Sequence, residues 1–177
     1  SRLMYGMPIS AYVAIDMSGI SVLNDAVGGV TVEVLEDLTY SDPQLTLGST
    51  VTLMGEQAVT YVRSRKSEGT DLVIDNNAPR MARQSQYLSA FISQTLNKTR
   101  SDFSLPLKLY GLAQDYTITD VTSAETVYLV TTMAGHGIES EVVEIPSTAK
   151  EGEYTEVYVD NDKLYEVILD VFYEEAD

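Results

Sequence analysis

The sequence has no cysteine and no tryptophan, and it has one histidine among its 177 residues. The absence of cysteine excludes disulfides, thiolate metal ligands and cysteine nucleophiles. The histidine, His136, lies between two glycines, a context typical of a loop, so we predict no catalytic role for it. With no second histidine, the sequence also predicts no Ser-His-Asp site.

Basic residues and long apolar runs are also scarce. Eleven Lys and Arg stand against 27 Asp and Glu, which gives a formal net charge of -16 at pH 7. This excess argues against nucleic acid, because proteins bind phosphate backbones by neutralising them with Lys and Arg spread over a face. No run reaches the roughly 18 to 20 apolar residues of a membrane span. With 44% hydrophobic residues, the chain can build one core, and we predict a single domain over residues 1–177.

The apolar pattern predicts that strands and helices alternate along the chain. We expect helices at residues 18–27, 56–62, 79–98, 105–112 and 123–134, a further helix after Asp160, and strands at 9–16, 30–35, 141–145 and 155–159. The first strand is expected to be largely buried. This order is typical of an α/β fold, and we predict a mixed β-sheet covered by helices on both faces, in three layers.

Three local features support this assignment. The longest helix, 79–98, carries an apolar stripe formed by Met81, Leu88, Ile92 and Leu96. The pair Gly28–Gly29 is expected to end a helix, because glycine accepts the left-handed conformation of a C-terminal cap. Residues 160–162 (DND) resemble part of a calcium loop, but the glycine and closing glutamate of an EF-hand are missing, so a helix cap is the better interpretation.

A basic cluster is the most informative feature of this acidic chain. Five of the eleven basic residues lie between Arg63 and Arg83, in the segments 61–66 (YVRSRK) and 79–84 (PRMARQ). The cluster predicts a site for phosphate or pyrophosphate, because guanidinium groups present paired donors to phosphate oxygens. The candidate ligands of the anion are Arg63, Arg65, Arg80, Gln84 and, more weakly, Arg83.

The spacing of these residues sets conditions on how they converge. Arg80 lies in the first turn of the predicted helix, where free backbone N–H groups also favour an anion, and Gln84 follows one turn later on the same face. Arg83 points away from both. Arg63 and Arg65 share a side only where the chain is extended, so they converge only if the helix unwinds near Arg63. An alternative interpretation is that these arginines are surface residues paired with Glu68, Asp71 and Asp75.

Several segments resemble the LytR-CpsA-Psr family of bacterial cell-envelope phosphotransferases. Residues 12–16 (YVAID) and 24–30 (NDAVGGV) are similar to the strand, helix and double glycine of that family. Residues 53–66 (LMGEQAVTYVRSRK) are similar to its most specific motif, and residues 80–84 (RMARQ) to the Arg-x-x-Arg-Gln helix that follows. The match runs from about Met4 to Asn97 and is looser beyond.

The resemblance implies an enzyme that transfers a phosphorylated glycopolymer, teichoic acid or capsular polysaccharide, from a polyprenyl-pyrophosphate carrier to peptidoglycan. It implies that Arg63, Arg65, Arg80 and Gln84 bind the pyrophosphate, with Arg63 and Arg65 as catalytic residues. It also implies Mg²⁺, an apolar tunnel for the lipid that helices near 105–112 and 126–133 would line, and a location on the extracytoplasmic face of the membrane.

The early strand and the Pro-Arg-Asp segment that supply the metal ligands in that family have no counterpart here. We therefore expect the chain to be the C-terminal part of such a domain, with the magnesium ligands and the membrane anchor outside it. We expect this fragment to bind pyrophosphate weakly and to be inactive, which Mg²⁺-dependent transfer would contradict. The alternative function is a non-catalytic module that binds pyrophosphate, a lipid carrier or a polyanion. Transcriptional regulation fits poorly, because no predicted recognition helix has a basic face.

Overall fold

A computed structural model describes residues 11–64, 77–137, 143, 145–150 and 156–173. The chain divides into two compact units, Ala11–Glu141 and Ser1–Ser10 with Val142–Asp177. The larger unit contains strands and helices in the order β1 (Val13–Ile15), α1 (Gly19–Ala26), β2 (Val30–Glu33), β3 (Thr50–Leu53), α2 (Glu56–Arg63), α3 (Asn77–Thr99), α4 (Leu105–Ala113), a 3₁₀ turn (Gln114–Tyr116), β4 (Thr117–Thr119) and α5 (Ser123–His136). The smaller unit contains β5 (Ser147–Lys150), β6 (Glu156–Val159) and α6 (Asn161–Phe172).

The α/β class that the sequence predicts is confirmed. The strands of the described residues pair as three antiparallel ladders of two strands each, β1 with β4, β2 with β3 and β5 with β6. Parallel pairing, which a mixed sheet requires, does not occur among these strands. Ladders of three or four residue pairs bury little apolar surface by themselves, so helices supply most of the apolar contacts. The core forms where helices cover β2 and β3.

The main core lies between the β2–β3 ladder, α2 and α3. Val30 pairs with Leu53 and Val32 with Val51, and the side chains of β2 alternate between buried and exposed, as a strand with one packed face requires. The core cluster consists of Val27, Val30, Val32, Val34, Leu38, Leu45, Leu53, Ala58, Tyr61, Val62 and Tyr87. Burial of this apolar cluster fixes α2 and α3 against the same ladder.

A glycine pair ends α1, as predicted. Gly28 and Gly29 have φ angles of 80° and 82°, the left-handed region that glycine enters without steric cost. Their N–H groups donate to Asp25 O and Asn24 O, both at 2.9 Å. A Cβ at Gly29 would lie 2.8 Å from Leu53 O, so the close approach of α1 to β3 also requires glycine there.

Helix α3 buries only part of the predicted stripe. Leu96 is buried and Ile92 is half-buried, but Met81 is 60% exposed and Leu88 is 49% exposed. The buried side chains of this helix are Arg83, Tyr87, Thr95, Leu96 and Thr99. The buried face is partly polar because Arg83 donates to backbone carbonyls of the α2 end and the Tyr87 hydroxyl donates to Asn24 Oδ1 of α1. A search for an apolar stripe does not detect such a face.

Two further predictions are corrected by the structure, and β4 is an element that the sequence did not predict. The first strand is short and all three of its residues are exposed, so it is not largely buried. His136 is the last residue of α5 and not a loop residue, and its Nδ1 lies 2.8 Å from Thr132 O, one turn earlier. β4 pairs antiparallel with β1, with Val13 opposite Thr119 and Ile15 opposite Thr117, and it was not predicted.

The smaller unit has a strand pair followed by a capped helix. Asp160 begins α6 as predicted, because its side chain accepts a hydrogen bond from Lys163 N at 3.2 Å. The ammonium of Lys163 also lies 3.2 Å from the Asp160 carboxylate. The Asp160 carboxylate is thus used in the helix cap, in line with the preferred interpretation. Strand β5 begins two residues after the predicted strand 141–145, part of which lies outside the described residues.

Candidate functional site

Arg63 is the last residue of α2, and Ser64 is the one residue described directly after it. The helix ends at Arg63, and Ser64 has φ −54° and ψ 133°, an extended conformation. The Ser64 N–H still donates to Thr60 O at 3.0 Å, so the last turn of α2 is closed before the chain straightens. Arg63 is exposed. The helix thus ends at Arg63, and the predicted convergence of Arg63 with Arg65 stays a prediction because Arg65 lies outside the described residues.

The start of α3 brings Gln84 against the same helix end. Arg80 occupies the first turn of α3, half-buried, and Gln84 follows one turn later. The side-chain amide of Gln84 donates to Val62 O at 3.1 Å, so this residue contacts the last turn of α2 immediately before Arg63. The structure therefore places the Gln84 amide against the backbone of the residue that precedes Arg63.

Arg83 has a different environment from the other candidates. It is 2% exposed, its Nε donates to Tyr61 O at 2.9 Å, and its Nη2 donates to Ser64 O. Its Nη1 forms an ion pair with Glu36, and the guanidinium lies 6.0 Å from the centroid of the Tyr61 ring. Burial lowers the pKa of Arg83 from its ordinary value. The sequence predicts that Arg83 contacts the anion, whereas three acceptors of the protein already hold its guanidinium.

Asp16 is a charged residue near Arg63 that the sequence did not place among the candidates. Both the Oγ and the N–H of Ser18 donate to the Asp16 carboxylate, at 2.6 and 2.8 Å. The pKa of Asp16 is lowered from its ordinary value of 3.8. The main cause is the hydrogen bond from the Ser18 hydroxyl, followed by the bond from the Ser18 N–H, and the charge of Arg63 contributes less. Asp16 therefore stays ionised at neutral pH near Arg63. No local pattern links two residues so far apart in the sequence.

An apolar cavity of about 290 Å³ has Gln84 among its lining residues. Asp16 lies between two of its lining residues, Ile15 and Met17, and Arg63 follows a third, Val62. The full lining consists of Ile15, Met17, Ile20, Leu23, Val62, Gln84, Tyr87, Leu88 and Phe91. An apolar cavity with one amide side chain in its lining suits a ligand with a hydrocarbon tail and a polar end.

A second apolar cavity, of about 200 Å³, lies between α3, α4 and α5. Its lining consists of Phe91, Ile92, Thr95, Leu96, Pro106, Leu109, Thr126, Val130 and Met133. The helices that the sequence associates with a lipid tunnel thus contribute five of these side chains.

The described residues offer little to a metal ion. They contain no group of three or more His, Cys, Asp or Glu side chains that could hold one. Asp16 stands near Arg63 without such partners, so these residues do not fit a magnesium site by themselves and we derive no chemical step through the metal. No helix in the described part of the chain has both the length and the apolar content to cross a membrane.

Comparison with known proteins decides the family. The model of the LytR_cpsA_psr family matches residues 2–169. The chain belongs to the LytR_cpsA_psr family. TagU of Enterococcus faecalis, a polyisoprenyl-teichoic acid–peptidoglycan teichoic acid transferase, is 33% identical to it over 93 residues. That alignment covers 51% of this chain but 28% of TagU.

Solved structures share the fold of this LytR_cpsA_psr chain. The Lin1025 protein from Listeria innocua aligns with a TM-score of 0.66 and 24% identity, over 94% of this chain and 70% of Lin1025. TagV of B. subtilis aligns with a TM-score of 0.72 and 22% identity, over 98% of this chain and 68% of TagV. The resemblance predicted from residues 12–84 is therefore confirmed at the level of family and fold.

Proposed function

We propose that this chain carries the pyrophosphate-binding residues of an enzyme that transfers a teichoic acid or related glycopolymer from polyprenyl pyrophosphate to peptidoglycan. The observation that supports the proposal is that Gln84 lines the 290 Å³ apolar cavity and donates to Val62 O, the residue that precedes the exposed Arg63 in the chain. The name of the related TagU agrees with this substrate class. The head group would bind at the rim, and the first part of the prenyl tail would enter the cavity.

The proposed reaction is a phosphoryl transfer. A hydroxyl oxygen of peptidoglycan attacks the phosphorus that bears the glycopolymer, the bond from that phosphorus to the bridging oxygen breaks, and polyprenyl phosphate leaves with the electron pair. The hydroxyl proton passes to a base. Arg63, Arg65 and Arg80 would neutralise the negative charge that grows on the leaving phosphate, and Gln84 would orient the phosphoryl group. We also propose that Mg²⁺ takes part, with ligands outside the described residues.

Arg83 enters this proposal as a positioning residue. Its bonds to Tyr61 O and Ser64 O fix the backbone on both sides of Arg63. Asp16 keeps a negative charge near Arg63, which orients the guanidinium before the anion arrives. We propose that the enzyme acts on the extracytoplasmic face of the bacterial membrane, attached through an anchor outside this sequence, with no nucleic acid among its partners.

Titration of farnesyl pyrophosphate tests the binding site. We expect Arg63→Ala, Arg65→Ala, Arg80→Ala and Gln84→Ala each to weaken binding by about tenfold to 100-fold, because each removes a bond to a charged group. Lys163→Ala, which removes the same charge from the smaller unit, is the control and should leave the affinity unchanged. Inorganic pyrophosphate and farnesol should both bind far more weakly than the joined molecule. Unchanged affinity in the three arginine variants would refute the site.

An assay for transfer of a lipid-linked teichoic acid to peptidoglycan distinguishes the proposed enzyme from the alternative function, a non-catalytic binding module. Binding with transfer in the native protein supports the enzyme. Binding without transfer, in a protein that carries its membrane anchor, favours the non-catalytic module.

A further inference from the structure

The two apolar cavities follow one another along α3. The first is lined by α3 residues between Gln84 and Phe91, and the second by α3 residues between Phe91 and Leu96. With a rise of about 1.5 Å per residue, the two together extend along roughly 18 Å of the helix. Phe91 is the side chain that lines both cavities. It therefore marks the boundary between them.

Contacts on α3 hold this ring in place. Phe91 stacks on Tyr87, with ring centroids 6.3 Å apart and an angle of 24° between the planes. Tyr87 is 8% exposed, and its hydroxyl donates to Asn24 Oδ1 at 3.1 Å, so the supporting ring is itself fixed to α1. These contacts favour one orientation of the Phe91 ring, at the place where it lines both cavities.

We infer that Phe91 is the partition that determines how much of a prenyl tail the protein encloses. The inference rests on the proposed function, which places the pyrophosphate at the rim beside Arg63 and Gln84. From there a short prenyl tail fills the first cavity, and a longer tail enters the second cavity only by displacing Phe91. The second cavity is lined mainly by apolar side chains, so a tail that enters it gains affinity from apolar burial.

Dissociation constants for geranyl, farnesyl and geranylgeranyl pyrophosphate test the inference. In the wild-type protein, we expect affinity to rise with tail length until the first cavity is full and then to level off. In Phe91→Ala the rise should continue, so the preference for geranylgeranyl over geranyl pyrophosphate should increase by about tenfold relative to wild type. The matched control is Phe103→Ala, which removes the same side chain from a 68% exposed position that lines neither cavity.

Two outcomes distinguish failure of this inference from failure of the proposed function. If none of the three pyrophosphates binds the wild-type protein, the proposed function fails and the inference fails with it. If all three bind, but the preference for tail length is the same in wild type and Phe91→Ala, the partition is refuted and the proposed site stands. Phe91→Leu keeps most of the packing and should show a smaller gain in the same direction, so it serves as the test if Phe91→Ala does not fold.

Discussion

At the scale of single residues, the role of an arginine is decided by the acceptors around it. Arg83 has Glu36, Tyr61 O and Ser64 O as partners and is 2% exposed, whereas Arg63 is exposed at the end of the same helix. A guanidinium enclosed by protein acceptors stabilises the fold, and one directed at solvent is available to a ligand. The two arginines should therefore respond in opposite ways to substitution.

We predict that Arg83→Ala lowers the free energy of unfolding by about 3 to 5 kcal/mol, because it leaves Glu36 and two carbonyls without their partner. Arg83→Lys keeps the charge but loses the fork of donors, and should cost about 1 to 3 kcal/mol. Arg63→Ala should change stability by less than about 0.5 kcal/mol and yet weaken binding of farnesyl pyrophosphate. Urea denaturation and titration of each variant measure both quantities. If Arg83→Ala keeps wild-type stability but loses binding, Arg83 contacts the ligand directly.

The sequence suggested the candidate residues of the site, but it could not predict which arginine is buried against protein acceptors and which is exposed. The spacing of Arg80 and Gln84 predicted their shared face, since that depends only on helix geometry. The burial of Arg83 depends on Glu36, nearly fifty residues earlier, and the proximity of Asp16 to Arg63 depends on how α1, which begins just after Asp16, packs against α2. Contacts between distant segments are properties of the tertiary structure, and no local pattern contains them.

At the scale of elements, α3 and the residue after it place cations at the carboxyl ends of three other helices. Arg83 donates to Tyr61 O and Ser64 O at the end of α2, Lys98 donates to Val27 O at the end of α1, and Arg100 Nε donates to Ala134 O of α5 at 2.9 Å. The last carbonyls of a helix lack partners within it and carry partial negative charge, so cations there are favourable. An acidic chain thus uses part of its small set of basic residues inside its own fold.

Helix α5 is capped at both ends, and its N-terminal cap should depend on pH. The side chain of Thr122 accepts from Glu125 N, and the Glu125 carboxylate accepts from both Thr122 N and Thr122 Oγ1. These hydrogen bonds, with the backbone bond first, lower the pKa of Glu125 from its ordinary value of 4.5. Because the folded pKa is the lower one, the cap stabilises the protein fully above pH 4.5 and loses this contribution as the pH falls through the folded pKa.

We therefore predict that the difference in unfolding free energy between wild type and Glu125→Gln is constant above the ordinary pKa of glutamate and shrinks below it. The glutamine keeps an acceptor for Thr122 N but does not ionise. Urea denaturation across this pH range measures the difference, and Asp162→Asn, an acid in the first turn of α6 that is not the capping residue, is the control. A difference that stays constant down to acid pH would show that the charge of Glu125 does not stabilise the cap.

Helices could be predicted from this sequence better than strands. The bounds of α2, α4, α5 and α6 follow from apolar periodicity and from caps, which are local signals. β4 is three residues long and pairs with β1 from across most of the unit, as in the pair Val13 and Thr119. So short a strand has too little alternation to recognise, and its pairing is decided by packing elsewhere in the chain.

At the scale of the whole molecule, a net charge of -16 opposes the ligand that the candidate site would bind. The electrostatic repulsion between the acidic residues and an anionic ligand acts at long range, whereas the proposed contacts of Arg63 with the ligand act over a few ångströms. Salt separates the two effects, because the Debye length falls from about 30 Å at 0.01 M to about 10 Å at 0.1 M ionic strength. Distant acids are screened over this range, and close contacts between a guanidinium and a phosphate are screened much less.

We therefore predict that the association rate constant of farnesyl pyrophosphate rises as the ionic strength increases from about 0.01 M to about 0.1 M. Sites that attract their ligand through a long-range electrostatic field show the opposite trend. The dissociation rate constant should change less, since it depends on the close contacts. Stopped-flow measurements with a fluorescent farnesyl pyrophosphate analogue give both constants, and the uncharged farnesol analogue is the control whose rates should not depend on salt. If association slows as salt is added, the positive potential of the arginine cluster extends beyond the acidic surface, and the acidic excess does not control the approach of the ligand.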